Sequence, residues 1–271
     1  MKNKSIALAV MAFLLSLATS VIAQDNEFTV ALTDPAKRGK IKVHLNSGSI
    51  TIKGTARKDV LVRYKTEDDD DDDRDKKTKD GLKRVSGGGI DLEASENDNY
   101  VTVKSSSWNN EVDLEIEIPV SFDVQAHTYN NGDLMLSNIQ GELALTNYNG
   151  EITALNISGS VVATTYNGEI KLTFDKVKAE APMSFVTYNG DIDVSFPSSV
   201  KGSLKMKTEQ GDIYTDFDMK ITSTGPRKTE DAKSGRYRIV IDDWKKGDIN
   251  GGGPEITMKT NNGDVYIRKK G

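Results

Sequence analysis

Glycines recur every nine residues through the middle of this chain. The five positions are Gly132, Gly141, Gly150, Gly159 and Gly168. A period this strict indicates one supersecondary unit copied along the chain, so the repeat constrains the architecture before any single residue does. Two and four residues after each glycine stands an aliphatic residue or an alanine, as with Leu143 and Leu145 after Gly141. This period of two predicts a β-strand in every unit.

The length of the unit leaves room for strands and turns alone. Each nine-residue unit divides into about five strand residues and about four turn residues, whereas a helical crossover needs ten or more residues. The repeat continues toward both ends, with Gly39 and Gly48 upstream and Gly190, Gly202, Gly211 and Gly263 downstream. The sequence therefore predicts an all-β fold, and longer strands are expected in the N-terminal part, between Val60 and Val124.

A finer alternation makes the true repeat eighteen residues long. Tyr-Asn-Gly closes the units that end at Gly150, Gly168 and Gly190, whereas Ile-Gln-Gly and Ile-Ser-Gly close those that end at Gly141 and Gly159. One architecture with this repeat is a parallel β-solenoid, in which each coil stacks on the last about 4.8 Å away. The alternative is an antiparallel β-meander or sandwich, because Asn-Gly is also the strongest hairpin signal.

The polar residue six positions after the glycine favours the solenoid. The residues at this position are Asn138, Asn147, Asn156, Thr165, Thr208 and Thr260. If the alternation continues, they lie on the same side of the strand as the aliphatic residues. A single buried amide costs free energy, whereas stacked Asn or Thr side chains can bond one another and the backbone.

The N-terminal residues predict export. Lys2 and Lys4 precede an uncharged apolar run, Ile6–Ala18, and Ala23 suits signal peptidase. We expect a cleaved signal peptide at 1–23, a single β-repeat domain at 24–271, and a periplasmic, surface-associated or secreted protein. The chain has no cysteine, which excludes a lipoprotein anchor and disulfide bonds. It has no second long apolar segment, so we expect no membrane-spanning helix.

The negative net charge disfavours nucleic acid as a partner, and a local run of acidic residues predicts one loop. The formal net charge is −5, and removal of the two signal-peptide lysines leaves 34 basic against 41 acidic residues. Six consecutive aspartates, Asp68–Asp73, predict an acidic disordered loop at 67–86, with weak calcium binding as the alternative. A second insertion at 218–253 carries its own apolar alternation and is expected to form a hairpin.

Acidic residues also follow the glycines, and the sequence leaves two explanations open. Asp133, Glu151, Glu169 and Asp191 occupy corresponding turns. In the first explanation these residues stabilise the turns. In the second they bind a metal together, but the paired glycines that are typical of calcium-binding nonapeptide repeats are absent. Signatures of catalysis are also absent: the two histidines, His44 and His127, are not at metal spacing, and no nucleophile or phosphate-loop motif occurs. We therefore predict no catalytic, cofactor-binding or metal-binding residues and no enzyme activity.

A row of tyrosines is the candidate partner-binding strip. Each tyrosine belongs to a turn of the Tyr-Asn-Gly type, with Tyr129 one residue out of phase. The strip consists of Tyr129, Tyr148, Tyr166 and Tyr188 with the flanking amides Asn149, Asn167 and Asn189. These rings either close the core, as Ile139 and Ile157 do in the alternate turns, or face a ligand such as a glycan.

The chain resembles the bacterial "putative adhesin" family of β-strand repeats. The resemblance rests on the Asn-Gly-Asp/Glu-aliphatic repeats, on the segment Lys79–Arg84 and on the C-terminal segment Gly251–Lys269. This family is common in Bacteroidetes and similar to the head domains of auto-transporter adhesins. The resemblance implies an extracytoplasmic β-solenoid, and it supplies no catalytic residues.

Three functions remain open at this point. The first is a non-enzymatic exported adhesin that presents a repetitive β surface to a glycan, cell-wall or protein partner. The second is a periplasmic envelope-stress or regulatory accessory protein, and the third is a β-helix enzyme acting on polysaccharide, since clustered carboxylates on such folds can do this chemistry.

Overall fold

The structure, a computed structural model, describes residues 26–66, 91–108, 110–178, 181–223 and 244–271. It also describes the backbone of four short strands at 78–79, 82–83, 227–231 and 236–240. The predicted signal peptide lies outside these residues, as does the acidic loop at 67–86 apart from two of the short strands. No helix within the described residues is long and apolar enough to cross a membrane.

The described residues form β-strands joined by turns. In chain order the strands are β1 (Glu27–Ala31), β2 (Lys40–Leu45), β3 (Ile50–Thr55), β4 (Asp59–Thr66), β5 (Thr78–Lys79), β6 (Leu82–Lys83), β7 (Leu92–Asn97), β8 (Tyr100–Ser105), β9 (Val112–Pro119), β10 (Asp123–Thr128), β11 (Leu134–Ser137), β12 (Glu142–Asn147), β13 (Ile152–Thr164), β14 (Ile170–Val177), β15 (Met183–Val186), β16 (Ile192–Pro197), β17 (Gly202–Lys207), β18 (Ile213–Thr215), β19 (Thr222–Ser223), β20 (Arg227–Asp231), β21 (Arg236–Val240), β22 (Lys245–Ile249), β23 (Glu255–Lys259) and β24 (Val265–Lys270).

Two sheets run along the molecule and are joined by the long strand β13. Sheet 1 has the order β1-β4-β9-β3-β11-β13-β14-β16-β24-β18. Sheet 2 has the order β7-β8-β2-β10-β12-β13-β15-β23-β17-β22-β19. The first part of β13 pairs in sheet 1, and the part from Ser160 to Thr164 pairs in sheet 2.

The chain winds as a parallel β-solenoid with two strands in each coil, one in sheet 2 and the next in sheet 1. In spatial order the coils are β8/β9, β2/β3, β10/β11, β12/β13, β13/β14, β15/β16, β23/β24 and β17/β18. Neighbouring coils pair in parallel, which confirms the solenoid and excludes the meander for this part of the chain. Antiparallel pairs occur at the two ends of the stack, where β4 and β7 cap one end and β22 caps the other end of sheet 2.

The order of the coils departs from the order of the sequence at both ends. The first coil in the sequence, β2/β3, lies between β8/β9 and β10/β11. The last coil, β23/β24, lies between β15/β16 and β17/β18. Both coils are therefore interior rungs of the stack, although they stand at the ends of the repeat region.

Alternation of side chains places the core between the two sheets. In β12, Leu143 and Leu145 are buried and Ala144 is exposed, as the period of two predicts. Phe174 and Phe196 stack inside the core with ring centroids 5.1 Å apart. The prediction of longer strands holds for β4 and β9, but the longest strand is β13, because it continues from one sheet into the other.

Close stacking of turns explains the glycine repeat. A Cβ atom on Gly150 would lie 2.1 Å from the carbonyl oxygen of Gly132 in the preceding coil, and one on Gly159 would lie 1.9 Å from that of Gly141. Both distances are far below van der Waals contact, so a side chain at either turn would push the coils apart.

The prediction for the polar position is correct for one turn and wrong for the other. Asn147, Thr165 and Thr260 are buried, as expected, whereas Thr208 in the last coil of the stack is half-buried. Asn138 and Asn156 are instead exposed, with φ of 57° and 56°, because their left-handed backbone ends the alternation before the turn. The two classes belong to the two different turns of each coil.

The predicted insertion at 218–253 is only partly an excursion. Its strands β19 and β22 pair antiparallel in sheet 2, at the end of the stack. Between them, β20 and β21 form a separate two-stranded antiparallel sheet. The insertion therefore contains the expected hairpin and also completes one cap of the solenoid.

Candidate binding surface

The four predicted tyrosines form one continuous stack along an edge of the solenoid, which we call the tyrosine ladder. Ring centroids are 4.7 Å apart for Tyr129 and Tyr148, 5.1 Å for Tyr148 and Tyr166, and 4.9 Å for Tyr166 and Tyr188. The ring planes differ by 9°, 5° and 2°. The separation is that of neighbouring strands, so the backbone sets the spacing of the rings.

The phase difference of Tyr129 in the sequence disappears in the structure. Its turn, Tyr129 to Gly132, contains one residue more than the Tyr-Asn-Gly turns. Asn131 absorbs the extra residue with a left-handed φ of 50°, a conformation that asparagine tolerates better than most residues. The ring of Tyr129 therefore joins the stack in register.

A second ladder, of asparagine amides, runs beside the rings. In each step the Nδ2 of one asparagine donates to the Oδ1 of the next, at distances of 2.6–3.1 Å. The asparagine ladder consists of Asn130, Asn149, Asn167, Asn189 and Asn262. It includes the three predicted amides and extends them by one coil at each end, through residues that also precede the turn glycines.

The tyrosine ladder ends differently on its two sides. Trp108, 59% exposed, makes an edge-to-face contact with Tyr129 at a centroid distance of 5.5 Å. On the other side Asn261 follows Tyr188, and Glu209 takes the same position in the last coil, where it pairs with Lys207 at 2.7 Å. Nothing in the repeat predicts Trp108, because it belongs to the loop between β8 and β9.

The exposure of the rings defines what this edge offers to a partner. The four tyrosines are 36–44% exposed, and their ring planes are nearly parallel to each other. Neighbouring rings therefore cover the faces of Tyr148 and Tyr166, and the exposed surface consists of ring edges and phenol hydroxyls. The edge can donate and accept hydrogen bonds in a regular row, but its inner rings cannot stack face to face on a sugar.

Buried hydroxyls and an amide support the ladders from inside. Directly before each tyrosine of the ladder, a polar side chain donates to the carbonyl oxygen of a turn glycine in the neighbouring coil. Thr128 bonds Gly48, Asn147 bonds Gly132, Thr165 bonds Gly150 and Thr187 bonds Gly168, at 2.8–2.9 Å. These bonds fix the turns that carry the rings.

The aspartates after the turn glycines have a structural contact of their own. Asp133 accepts a hydrogen bond from the backbone N–H of Glu151, and Asp191 accepts one from Asp264, at 2.8 and 2.7 Å. Each carboxylate thus ties one coil to the next. Among the described residues no three carboxylate or imidazole groups come together as a metal site.

The outer face of sheet 2 continues directly from the tyrosine ladder. The outward positions in the two columns beside the ladder stand two and four residues before the ladder position, and a third column stands six residues before it. These outward residues are Thr102, Lys42, Gln125, Ala144, Val162, Ser184, Thr257, Lys205 and Lys246 in one column, and Lys104, His44, His127, Thr146, Thr164, Val186, Lys259 and Lys207 in the other.

The two histidines, which are far apart in the sequence and not at metal spacing, meet on this face. The rings of His44 and His127 are 4.8 Å apart on neighbouring coils. Burial, followed by the charges of His44 and Lys42, lowers the pKa of His127 below its ordinary value. His127 is therefore neutral more readily than free histidine.

A groove of about 540 Å³ lies on the opposite sheet, away from the ladders. Arg63 lines it beside Glu27, Asp113 and Glu115. Arg63 forms ion pairs with Glu27 at 2.8 Å and with Glu117 at 2.9 Å. The two carboxylates therefore compensate the charge of its guanidinium. These ion pairs tie the capping strands β1 and β4 to β9.

Two solved structures are similar to this chain at low sequence identity. One is a "putative cell adhesion protein" from Clostridium sporogenes, with 12% identity, a TM-score of 0.47, and coverage of 90% of this chain and 99% of the other. The second is a "putative adhesin" from Bacteroides fragilis, with 10% identity, a TM-score of 0.38, and coverage of 90% and 96%. No curated protein matches the sequence.

A family model covers nearly the whole chain. The match extends over residues 10–268 and includes the repeats, both capped ends and the ladder-bearing turns. It confirms the β-repeat family that the sequence resembles, and its β-solenoid agrees with the architecture described above. The chain belongs to the Toastrack DUF4097 family.

Proposed function

We propose that this protein is a non-enzymatic, exported binding protein of the adhesin type, and that it presents the tyrosine and asparagine ladders to an extended glycan, cell-wall or protein partner. The observation that carries the proposal is the row of four half-exposed tyrosines at strand spacing. The apolar run Ile6–Ala18 after Lys2 and Lys4 supports export.

The fold itself does not require aromatic rings at this edge. In the alternate turns, Ile139 and Ile157 close the core and are fully buried, whereas the tyrosines remain partly in solvent. In other coils the ladder position is polar, with Asn261 and Glu209 at one end of the stack. Tyrosine is thus confined to four central coils, which favours a role in binding over a role in closing the core.

The chemistry of the edge suits a partner with repeated polar groups. Phenol hydroxyls and ring edges recur every 4.7–5.1 Å, next to amides at the same spacing. A polymer that lies along the stack meets the same pair of groups at every coil. Weak contacts repeated in this way add up to useful affinity without a deep pocket.

The test compares one ladder tyrosine with an exposed tyrosine elsewhere. Tyr166→Ser removes a central ring of the ladder, and Tyr214→Ser removes a ring that is 49% exposed and stacks on Tyr266 on sheet 1. Both variants, with the unaltered protein, are incubated with isolated cell-wall polysaccharide and on a glycan array. Thermal unfolding is followed in parallel.

We expect Tyr166→Ser to weaken capture while its melting temperature stays close to that of Tyr214→Ser. Capture by Tyr214→Ser should equal that of the unaltered protein. A large loss of thermal stability in Tyr166→Ser alone would mean that the ring closes the core, and unchanged capture in a stable Tyr166→Ser would reject the ladder as the binding surface.

A further inference from the structure

The outer face of sheet 2 has an unusual distribution of charge. The two outward columns beside the ladder hold two histidines and six lysines, and their acidic residue is Glu93 on the capping strand β7, opposite Lys104. The lysines are Lys42, Lys104, Lys205, Lys207, Lys246 and Lys259. The third column, farther from the ladder, holds Asp123, Glu142 and Glu255. The whole chain has more acidic than basic residues and a net charge of −5, so the two columns beside the ladder depart from the composition of the protein.

Sheet 1 provides the comparison within the same molecule. Its outward positions mix the two signs, with Glu115, Lys53 and Asp193 among them. Arg268 pairs there with Asp193 at 2.8 Å. The concentration of lysine is therefore a property of the two columns beside the ladder, and neither of the repeat nor of sheet 2 as a whole.

Three of the lysines on sheet 2 form no ion pair with a carboxylate among the described residues, although the pKa of Glu209 is lowered by its hydrogen bond with Lys207 and, to a smaller extent, by the charge of Lys259. Lys104 pairs with Glu93 at 3.0 Å and Lys207 pairs with Glu209 at 2.7 Å, while the ammonium of Lys205 lies 4.6 Å from the ring centre of Trp244. Lys42, Lys246 and Lys259 make no such ion pair and are exposed. Exposed like charges that are left without counter-charges raise the positive potential of the face.

The charges lie toward the two ends of the face, and the centre is neutral. Lys42 belongs to the second coil and Lys259 to the seventh, which places them about 24 Å apart at the usual strand spacing. Between them the face carries hydroxyl and small side chains, such as Thr146, Thr164 and Val162. One small anion cannot span this distance, whereas an extended polymer can contact both ends and the neutral centre.

We propose that sheet 2 binds an anionic polysaccharide, which runs along the stack of coils beside the tyrosine ladder. This inference rests on the proposed function, because the ladder is the next outward column of the same face. The lysines attract the carboxylates or sulfates of the polymer, and the threonines, tyrosines and amides bond its hydroxyls. A membrane surface fits less well, since the two columns carry no tyrosine, tryptophan or phenylalanine and no leucine, isoleucine or methionine that would insert between lipids, and their exposed apolar side chain larger than alanine is Val162.

The test uses two charge reversals of equal size. Lys42→Glu with Lys259→Glu changes the proposed face, and Lys53→Glu with Lys171→Glu changes two exposed lysines on sheet 1. The probes are polygalacturonate and neutral dextran, and vesicles with and without phosphatidylglycerol. Binding to the full chain is measured by sedimentation between about 0.05 and 0.3 M NaCl, a range over which screening increases strongly.

The unaltered protein should bind polygalacturonate but not dextran, and more weakly at high salt. The sheet 2 pair should lose more than about tenfold in affinity and the sheet 1 pair less than about twofold, because local charge governs contact with a polyanion. The milder pair Lys42→Gln with Lys259→Gln should show a smaller loss in the same direction. Melting temperatures of all variants report whether each is folded.

Other outcomes would overturn the inference. An equal loss in both charge reversals would show an effect of net charge alone, and binding to phosphatidylglycerol vesicles but not to polygalacturonate would show a membrane surface. If the sheet 2 pair binds normally while Tyr166→Ser loses capture of cell-wall polysaccharide, the proposed function stands without an anionic partner. If polygalacturonate binding depends on the lysines but Tyr166→Ser captures normally, the face binds polyanions and the ladder is not the contact.

Discussion

At the scale of the residue, hydrogen bonds from single polar side chains connect each coil to the next. A buried hydroxyl or amide donates to a glycine carbonyl, and a half-buried aspartate accepts from a backbone N–H one coil away. Such bonds leave most buried polar atoms with a partner, as stable interiors require. Asn147 is the exception among the described residues, since its buried Oδ1 has no hydrogen-bond partner.

The first prediction concerns this unpaired oxygen. Asn147→Thr should raise the free energy of unfolding by about 1 kcal/mol, because threonine keeps the bond to the carbonyl of Gly132 and removes a buried acceptor without a donor. The reverse change in the same column, Thr165→Asn, should lower it by a similar amount. Urea unfolding of both variants checks the pair, and a destabilised Asn147→Thr would contradict the explanation.

The second prediction concerns pH. The pKa of His127 lies below its ordinary value because of burial first and then the charges of His44 and Lys42. The folded state therefore binds this proton less readily than the unfolded state, so the stability it contributes is complete above a pH of about 6.5 and is lost as the pH falls below that value. His127→Gln should lose less stability between about pH 7 and pH 5 than the unaltered protein.

Thermal unfolding at the two pH values provides the measurement. Carboxylates also titrate toward the lower end of this range, so the comparison is between the two proteins and not between the two pH values. Equal losses in His127→Gln and in the unaltered protein would show that the histidine pair does not contribute.

At the scale of the element, the strand-turn unit follows from local sequence. The glycines predict the turns because a side chain there would strike the carbonyl of the neighbouring coil, and the period of two predicts which residues enter the core. The same reasoning fails at Asn138 and Asn156, because a left-handed residue changes the direction of the chain and ends the alternation. Asn147 stands at the same distance from its preceding glycine as these two, and the Tyr-Asn-Gly turn that follows it differs from their Ile-Gln-Gly and Ile-Ser-Gly turns without predicting a left-handed residue.

The third prediction tests the inward face of the unit. Leu145→Ala should cost roughly 2–4 kcal/mol through lost burial and the cavity that remains. Ala144→Lys, on the outer face of the same strand, should change stability by less than about 0.5 kcal/mol. Chemical denaturation of both variants measures the two changes in stability. A larger loss in Ala144→Lys than in Leu145→Ala would reverse the assignment of the inner and outer faces.

At the scale of the whole molecule, pairing between distant coils lies beyond local sequence. Every coil presents a similar row of backbone groups, so the periodicity predicts stacking but not which coil stacks on which. The tyrosine ladder could be predicted because its coils are consecutive in the stack and in the sequence. The lysines on the outer face of sheet 2 could not be predicted as one group, since Lys42 and Lys259 lie on the same face but come from opposite ends of the chain.

The fourth prediction follows from the position of β23/β24 inside the stack. Chain ends usually exchange their amide hydrogens quickly, because they fray. Here the amides of Met258 and Ile267 should be protected as strongly as those of central coils, since both residues are buried and their strands are paired on both sides. Ile213, in the edge strand β18, provides the fast-exchanging control.

Hydrogen exchange followed by mass spectrometry measures these rates. Fast exchange across 255–270, at the rate of β18, would show that the last coil is a loosely held end. Slow exchange there would make the C-terminal coil part of the most stable unit of the protein.

The crossed order of coils at both ends also determines how such a protein can grow. Only from β10/β11 to β15/β16 do the coils follow one another in space as they do in the sequence. A duplicated stretch of eighteen residues inserted there adds one rung and one more tyrosine step, and leaves both caps intact. The same duplication near either terminus would separate strands that pair across the crossed order of coils, so gene duplication can lengthen the tyrosine ladder only from its middle.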